Sequence, residues 1–139
     1  MNDMKVVGIV EEVVVEGKNQ VKTLALFDTG AKLSSVDKEL AKKADLGPRV
    51  RTTRIRFASS KNQVRRDVMK ARIKVNNHVF DSEVNVQDRS HMTFPMIIGR
   101  NIIKNNFLVD CSKNIKLFEK RVKEIEKENR NQKRMSDFK

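Results

Sequence analysis

Cysteine occurs once, at Cys111, tryptophan and tyrosine are missing, and histidine is limited to His78 and His91. A single cysteine excludes an intrachain disulfide, and one cysteine with two histidines cannot assemble a Cys/His metal centre. The metalloprotease helix motif His-Glu-x-x-His is absent, and neither histidine has a Ser or Cys elbow with which to build a triad. Both are read as loop or strand-edge residues, and no metal or other cofactor is expected. No window of eighteen apolar residues exists, and Met1-Asn2-Asp3 begins neither a basic nor an apolar leader segment, so no transmembrane or secretory signal is expected and the location is read as cytoplasmic. At 139 residues with 38% apolar content, the chain suits one small core.

What is abundant is positive charge, +12 overall, and its location is informative. Residues 49 to 74 carry ten Lys/Arg against one acid, Asp67, a net +9, and residues 111 to 139 carry ten basic and five acidic residues, a net +5. Such a patch attracts polyanions, whether an acidic peptide or a nucleic acid. Phe57 is the one aromatic among those basic residues, which leaves few stacking platforms for single strands.

Taken in order, Val6 to Val15 reads as a strand broken at Glu11-Glu12, Glu16 to Asn19 as a turn, and Val21 to Phe27 as the returning strand. Ser34-Ser35 offers N-caps to a short helix, Val36 to Ala44, with Lys42-Lys43 in its last turn and Gly47-Pro48 stopping it. The basic segment alternates as a long hairpin. Ile55 and Phe57 alternate with Arg54 and Arg56, and Met69, Ala71, Ile73 and Val75 with Lys70, Arg72 and Lys74, around a tip at Ser59-Ser60-Lys61-Asn62. Asn76-Asn77 suits a two-residue turn into a strand with Phe80, Val84 and Val86 inward and Asp81, Glu83 and Asn85 outward. Asp88 to Phe94 reads as a loop, Pro95 to Ile98 as a buried strand and Asn101 to Lys104 as one helical turn. Ile115, Phe118, Val122 and Ile125 then define an amphipathic helix that docks on the core or on a partner subunit, and Glu128 to Lys139 is polar enough to fray.

Two stretches carry the chemistry. In Leu24-Ala25-Leu26-Phe27-Asp28-Thr29-Gly30-Ala31 an apolar strand ends in a carboxylate, a hydroxyl and a glycine. A carboxylate there is partly buried and needs donors, which Thr29 and the backbone N–H groups near Gly30 can supply. Gly30 removes a Cβ from that approach and permits positive φ. Much later, Pro95-Met96-Ile97-Ile98-Gly99-Arg100-Asn101-Ile102-Ile103 runs an apolar strand into a glycine and a short helix.

The pair resembles the retropepsin-like aspartic proteases. The longer match over Ala31 to Ser35, Asp88 to Arg100 and Phe107 to Asp110 resembles their prokaryotic branch, labelled ATP-dependent zinc proteases. The resemblance covers residues 20 to 112. It implies an all-β fold, a small closed acid-protease-like barrel with one short internal helix, followed by the C-terminal amphipathic helix. Residues 1–112 are taken as the retropepsin-like domain and 113–139 as that helix and tail. It also implies that Thr29 bonds across a dyad, that Ile97-Ile98-Gly99 packs beneath the active-site loop, and that the basic hairpin is a flap. Two departures stand out: Lys32 occupies a position where retroviral enzymes commonly hold an acid that pairs with the Arg of Gly-Arg, and the tip, Ser59 to Gln63, has no glycine. Arg100 therefore needs a different partner, a carboxylate elsewhere or a backbone carbonyl.

Two carboxylates holding one water can hydrolyse a peptide bond without a covalent intermediate. The chain has one Asp-Thr-Gly, and Asp88 and Asp110 lack the following Thr-Gly, so the second carboxylate would be Asp28 of another chain across a two-fold axis. The expected activity is that of a homodimeric aspartic endopeptidase. Asp28, Thr29 and Gly30 form its catalytic turn, and Ala31, Arg54, Arg56, Ser59, Ser60, Ile97 and Ile98 contact a peptide or protein substrate of acidic character. The alternative is a non-catalytic dimer of the same fold that binds acidic peptides or a partner through its cationic hairpin. A nucleic-acid module ranks last, and no membrane partner is expected.

Overall fold

Val13 and Val15 on one strand face the same way as Ala25 and Phe27 on the next, and this shared apolar face is where the barrel begins. The computed structural model describes residues 4–56 and 63–137. Its elements are β1 (Lys5–Gly8), β2 (Val10–Glu16), β3 (Gln20–Phe27), β4 (Ser34–Asp37), α1 (Lys38–Ala44), β5 (Arg49–Arg56), β6 (Gln63–Val75), β7 (His78–Gln87), β8 (Met96–Ile98), α2 (Arg100–Ile103), β9 (Phe107–Asp110) and α3 (Ile115–Asp137). The large sheet runs β2-β3-β8-β4-β7-β6-β5, and antiparallel pairing of β2 with β6 closes six of these strands into a barrel. β5 stands outside that ring on β6, and β1 and β9 form a separate parallel pair. Val36, Ile73, Val75, Val84, Met96 and Ile98 fill the interior with no exposure.

Several local features differ from the sequence reading. Ser34 and Ser35 do not cap a helix. They lie in β4, paired with β7 and β8, and their hydroxyls bond to Asn101 Oδ1 at 2.8 Å and Asn85 Oδ1 at 2.7 Å. The cap of α1 is Asp37, whose Oδ2 accepts from Glu39 N at 3.1 Å. Asn85 lies on the face of β7 opposite Val84 but is only 5% exposed, and Ser35 supplies the partner that burial demands. At the other end Asp45, in the left-handed region (φ 53°), closes α1 before Gly47-Pro48 is reached. The break near the N-terminus falls at Ile9 and not at Glu11-Glu12. There the Gly8 N–H bonds to Glu11 Oε2 and the Ile9 N–H to Lys113 O, so the chain changes sheets.

The C-terminal helix also runs further than expected. α3 continues to Asp137 through the segment read as frayed. Glu128, Arg130, Gln132, Lys133, Arg134 and Met135 there are good helix formers, and Glu126 with Arg130, like Glu119 with Lys123 earlier in the helix, stands at the supportive four-residue spacing. Its first turns dock on the barrel, with Phe118 stacked on Phe94 at 5.7 Å, Arg121 Nε donating to Thr93 O at 2.9 Å and Asn114 Nδ2 to Val10 O at 2.9 Å. No helix among the described residues is long and apolar enough to cross a membrane.

Candidate active site

β3 delivers Asp28. Parallel pairing of β3 with β8 sets Phe27 beside Ile98, and the Asp28 N–H continues that ladder to Ile98 O at 2.8 Å. The chain then turns: Gly30 N donates to Asp28 Oδ1 at 2.9 Å and Ala31 N to Asp28 O at 3.2 Å. Asp28 is half-buried, while Thr29 and Gly30 are exposed. Gly30 does not use positive φ; among the described glycines Gly47 alone does. Its role is spatial, since a Cβ at Gly30 would sit 3.2 Å from Asp28 Oδ1.

The support of this turn comes from the second stretch. Arg100 Nη1 donates to Thr29 O at 3.0 Å and Arg100 N to Ala31 O at 2.8 Å, so the partner that Lys32 cannot provide is a backbone carbonyl. Ser34 Oγ accepts from Gly99 N at 2.9 Å, and Asn101 Oδ1 accepts from both Ser34 N and Ser34 Oγ. Gly99 is enforced by closeness: a Cβ there would lie 2.8 Å from Leu33 C and 2.9 Å from Ala31 O. Ile98 is fully buried in the core and acts through its carbonyl, whereas Ile97 is half-buried between Leu26 and Ser35. Ala31 is half-buried within the turn.

The cationic hairpin is only partly free. Arg72 is engaged by Asp81 at 3.2 Å and Glu16 at 4.0 Å, Arg51 by Glu83, and Arg49 by Asp67 at 3.6 Å. Arg54 is exposed and stands opposite Arg65 across the β5–β6 ladder; neither has an ion pair among the described residues. Ser59, Ser60 and the rest of the expected tip lie outside the described residues, as does the side chain of Arg56. A cavity of about 1120 Å³ lies against the end of α1 and the strands β6 and β7, lined by residues of both signs such as Asp45, Lys70, Arg72 and Asp81; Asp28 does not line it.

One residue escaped the sequence reading. Arg89, in the loop before β8, is 5% exposed. Its N–H donates to Asp37 Oδ1 at 2.8 Å and its Nε to Phe94 O at 3.0 Å. Burial holds its guanidinium below the usual arginine range; the Arg66 charge pushes the same way, and Asp37 and Asp28 push back. The signal available was its place in the stretch Asp88 to Phe94. His78 is half-buried at the start of β7, with no partner for Nε2 among the described residues, and His91 is exposed in the loop.

A six-stranded barrel whose Asp-Thr-Gly turn rests on an Ile-Ile-Gly-Arg strand and helix defines the chain as a retropepsin-like protein. A family model described as the retropepsin-like aspartic endopeptidase RimB matches residues 38–120, more than half of the chain, and the chain belongs to that RimB-like family of aspartic endopeptidases. The matched stretch begins after Asp28. No curated protein matches the sequence. Among solved structures, a Legionella pneumophila protein of unknown function is 22% identical, with a TM-score of 0.55 and coverage of 78% of this chain and 94% of that one. The EIAV protease, solved with the inhibitor HBY-793, is 20% identical, with a TM-score of 0.51 and coverage of 73% and 91%. At these identities the likeness concerns the fold. The zinc in the label of the resembled branch finds no donor set, since no three His, Cys, Asp or Glu side chains converge among the described residues.

Proposed function

We propose that this chain is an aspartic endopeptidase that works as a homodimer, with Asp28 of each subunit holding the attacking water. One Asp28 takes a proton from the water as its oxygen attacks the peptide carbonyl carbon, and the other, protonated, gives its proton to the carbonyl oxygen. Collapse of the tetrahedral intermediate returns a proton to the amide nitrogen, and the C–N bond breaks. The observation that carries this reading is the state of the Asp28 carboxylate: one oxygen is tied to Gly30 N, the turn is clamped by Arg100, and the site lies at an open end of β3. Arg54 and Arg56 are assigned to an acidic substrate, and the tip at Ser59 and Ser60 to its cover. Residues 1–112 are taken as the catalytic unit and 113–139 as an accessory helix.

Asp28→Asn preserves shape and hydrogen bonding but abolishes the shared proton. The variant should fold and dimerise like wild type while losing on the order of 10³-fold in turnover on a peptide library. The wild-type pH–rate profile should be bell-shaped, its two limbs belonging to the pair. Turnover by Asp28→Asn near the wild-type level would remove Asp28 from the chemistry. The binding-module alternative is favoured by the opposed Arg54 and Arg65, and it takes over if wild type binds acidic peptides yet cleaves none across acidic and neutral pH.

A further inference from the structure

We propose that the outward face of α3 is a docking surface for the phosphate backbone of double-stranded nucleic acid. The inference is independent of the protease reading, and no turnover enters its test.

Lys116, Lys120, Lys123, Lys127, Arg130 and Arg134 follow one another along α3 at spacings of four, three, four, three and four residues. At about 100° per residue these cations fall within an arc of about 80° and run for about 27 Å along the helix. All of them are exposed, and among the described residues none of them has an ion pair. Glu119, Glu124, Glu126 and Glu128 stand outside that arc. Ile115, Phe118, Val122 and Ile125 fall on the far side of the helix, where Phe118 stacks on Phe94 of the barrel at 5.7 Å. From Glu126 to Arg134 every residue is exposed, so Lys127, Arg130 and Arg134 lie beyond the docked turns. Like charges three and four residues apart oppose helix formation. A helix that needed only to be soluble would gain from acids between these cations. α3 keeps its acids to the flanks, and a polyanion laid along the stripe relieves the repulsion.

Charge density selects the polyanion. Over about 27 Å a nucleic-acid duplex carries about 16 phosphate charges, about eight on either strand. An extended acidic peptide of that length turns only about four carboxylates to one side, because its side chains alternate. A duplex is also straight over such a distance, as the stripe is. The stripe carries no aromatic ring on which an unpaired base would stack, which favours a duplex over a single strand. A membrane surface fits poorly, since a helix lying on lipid turns its apolar face to the bilayer and here that face is taken by the barrel. The contacts are to phosphates, so docking is independent of base sequence.

The test rearranges the charges of α3 without changing their number. Glu119→Lys, Lys120→Glu, Lys127→Glu and Glu128→Lys together leave the net charge at +12, act on exposed positions and place two acids in the stripe. Anisotropy of labelled RNA and DNA duplexes of about 16 base pairs is followed from about 50 to 200 mM salt. Wild type should bind with a slope of log K on log salt of about −4 to −5, and the rearranged chain should bind on the order of 10- to 100-fold more weakly at about 0.1 M, with a slope flatter by about 2. Binding of both duplexes, or of one alone, supports the proposal and identifies the source of the phosphates. Binding of neither overturns it, as does equal binding by wild type and the rearranged chain. Binding lost in Arg54→Gln/Arg65→Gln and kept in the rearranged chain assigns the polyanion to the hairpin and overturns the proposal. Tighter binding of polyglutamate or of anionic lipid vesicles than of either duplex at equal ionic strength also overturns it. Should the rearranged chain fail to fold, Lys127→Gln/Arg130→Gln/Arg134→Gln decides, because these residues lie beyond the docked turns: its slope should flatten by about 3, and an unchanged slope overturns the proposal.

Discussion

Three aspartates in this chain adopt the same local turn, and the residue two places on decides what each can do. Asp88 and Asp110 accept from the N–H of Ser90 and Ser112 at 2.9 Å and from the Oγ of the same serines at 2.6 Å, all on Oδ1. Asp28 accepts the equivalent N–H from Gly30, which has no hydroxyl to add. The distinction between Asp-x-Ser and Asp-Thr-Gly was therefore legible in the sequence, because it is a contact between neighbours. The hydroxyl bonds hold the Asp88 and Asp110 carboxyls below the ordinary carboxylate value. A folded-state value below the unfolded one means stability that is complete above the unfolded value and is lost as pH falls through the folded one. Ser90→Ala should move the Asp88 titration, followed by carbon NMR of its carboxyl, upward toward the ordinary value while Asp110 stays in place; an unmoved Asp88 would show that the hydroxyl is not the cause. Gly99 makes a harsher demand. Gly99→Ala meets backbone atoms at 2.8 to 2.9 Å, so it should cost at least about 2–3 kcal/mol and lower Tm by roughly 10 °C, and a Tm within a degree or two of wild type would contradict the closeness argued here. Arg89 was not legible in this way, because its partners, Asp37 and Phe94, are set by the path of a loop and not by spacing.

Among the elements, the strands were readable and the junctions were not. Period-two alternation marks Ala71, Ile73 and Val75 as inward whatever the barrel does, but Ser34 and Ser35 have their hydroxyls taken by Asn101 and Asn85, residues far along the chain, and no local pattern announces that. The cationic hairpin shows the same divide. Its lower half is compensated, with Arg72 facing Asp81 and Lys70 facing Glu83 across the ladder, whereas toward the tip Arg54 faces Arg65. Like charges directly opposite are destabilising by a few tenths of a kcal/mol up to about 1 kcal/mol. Raising ionic strength from about 0.01 M to about 1 M shortens the screening length from roughly 30 Å to 3 Å, so amide exchange at Arg54 and Arg65 should slow relative to the β2–β3 ladder. An acidic peptide should do the same at low salt. Exchange in the β5–β6 stem that ignores both salt and peptide would mean that the repulsion is already dissipated and that this end of the hairpin does not call for a polyanion.

For the whole molecule, the proposed mechanism makes assembly part of the chemistry, because the chain has a single Asp-Thr-Gly, and the question becomes which surface a second copy would cover. β9 lies beside the strand that ends in Asp28, since the Phe107 ring meets Phe27 edge to face at 6.0 Å. On the outer side of the β1–β9 pair, Val6 and Leu108 are register partners and are 47% and 53% exposed. Two adjacent apolar side chains left in water are a surface on which the two-fold contact of the proposed dimer would gain from burial, at roughly 25 cal/mol per Å² removed from water. Leu108→Glu should therefore shift the sedimentation profile toward monomer and remove peptidase activity together, with little change in the monomer's own stability because the residue is already half in solvent. Leu108→Met, which keeps the apolar volume, should retain both. A Leu108→Glu protein that sediments as a wild-type dimer would move the interface elsewhere on the barrel, and one that is monomeric and fully active would end the requirement for a second Asp28.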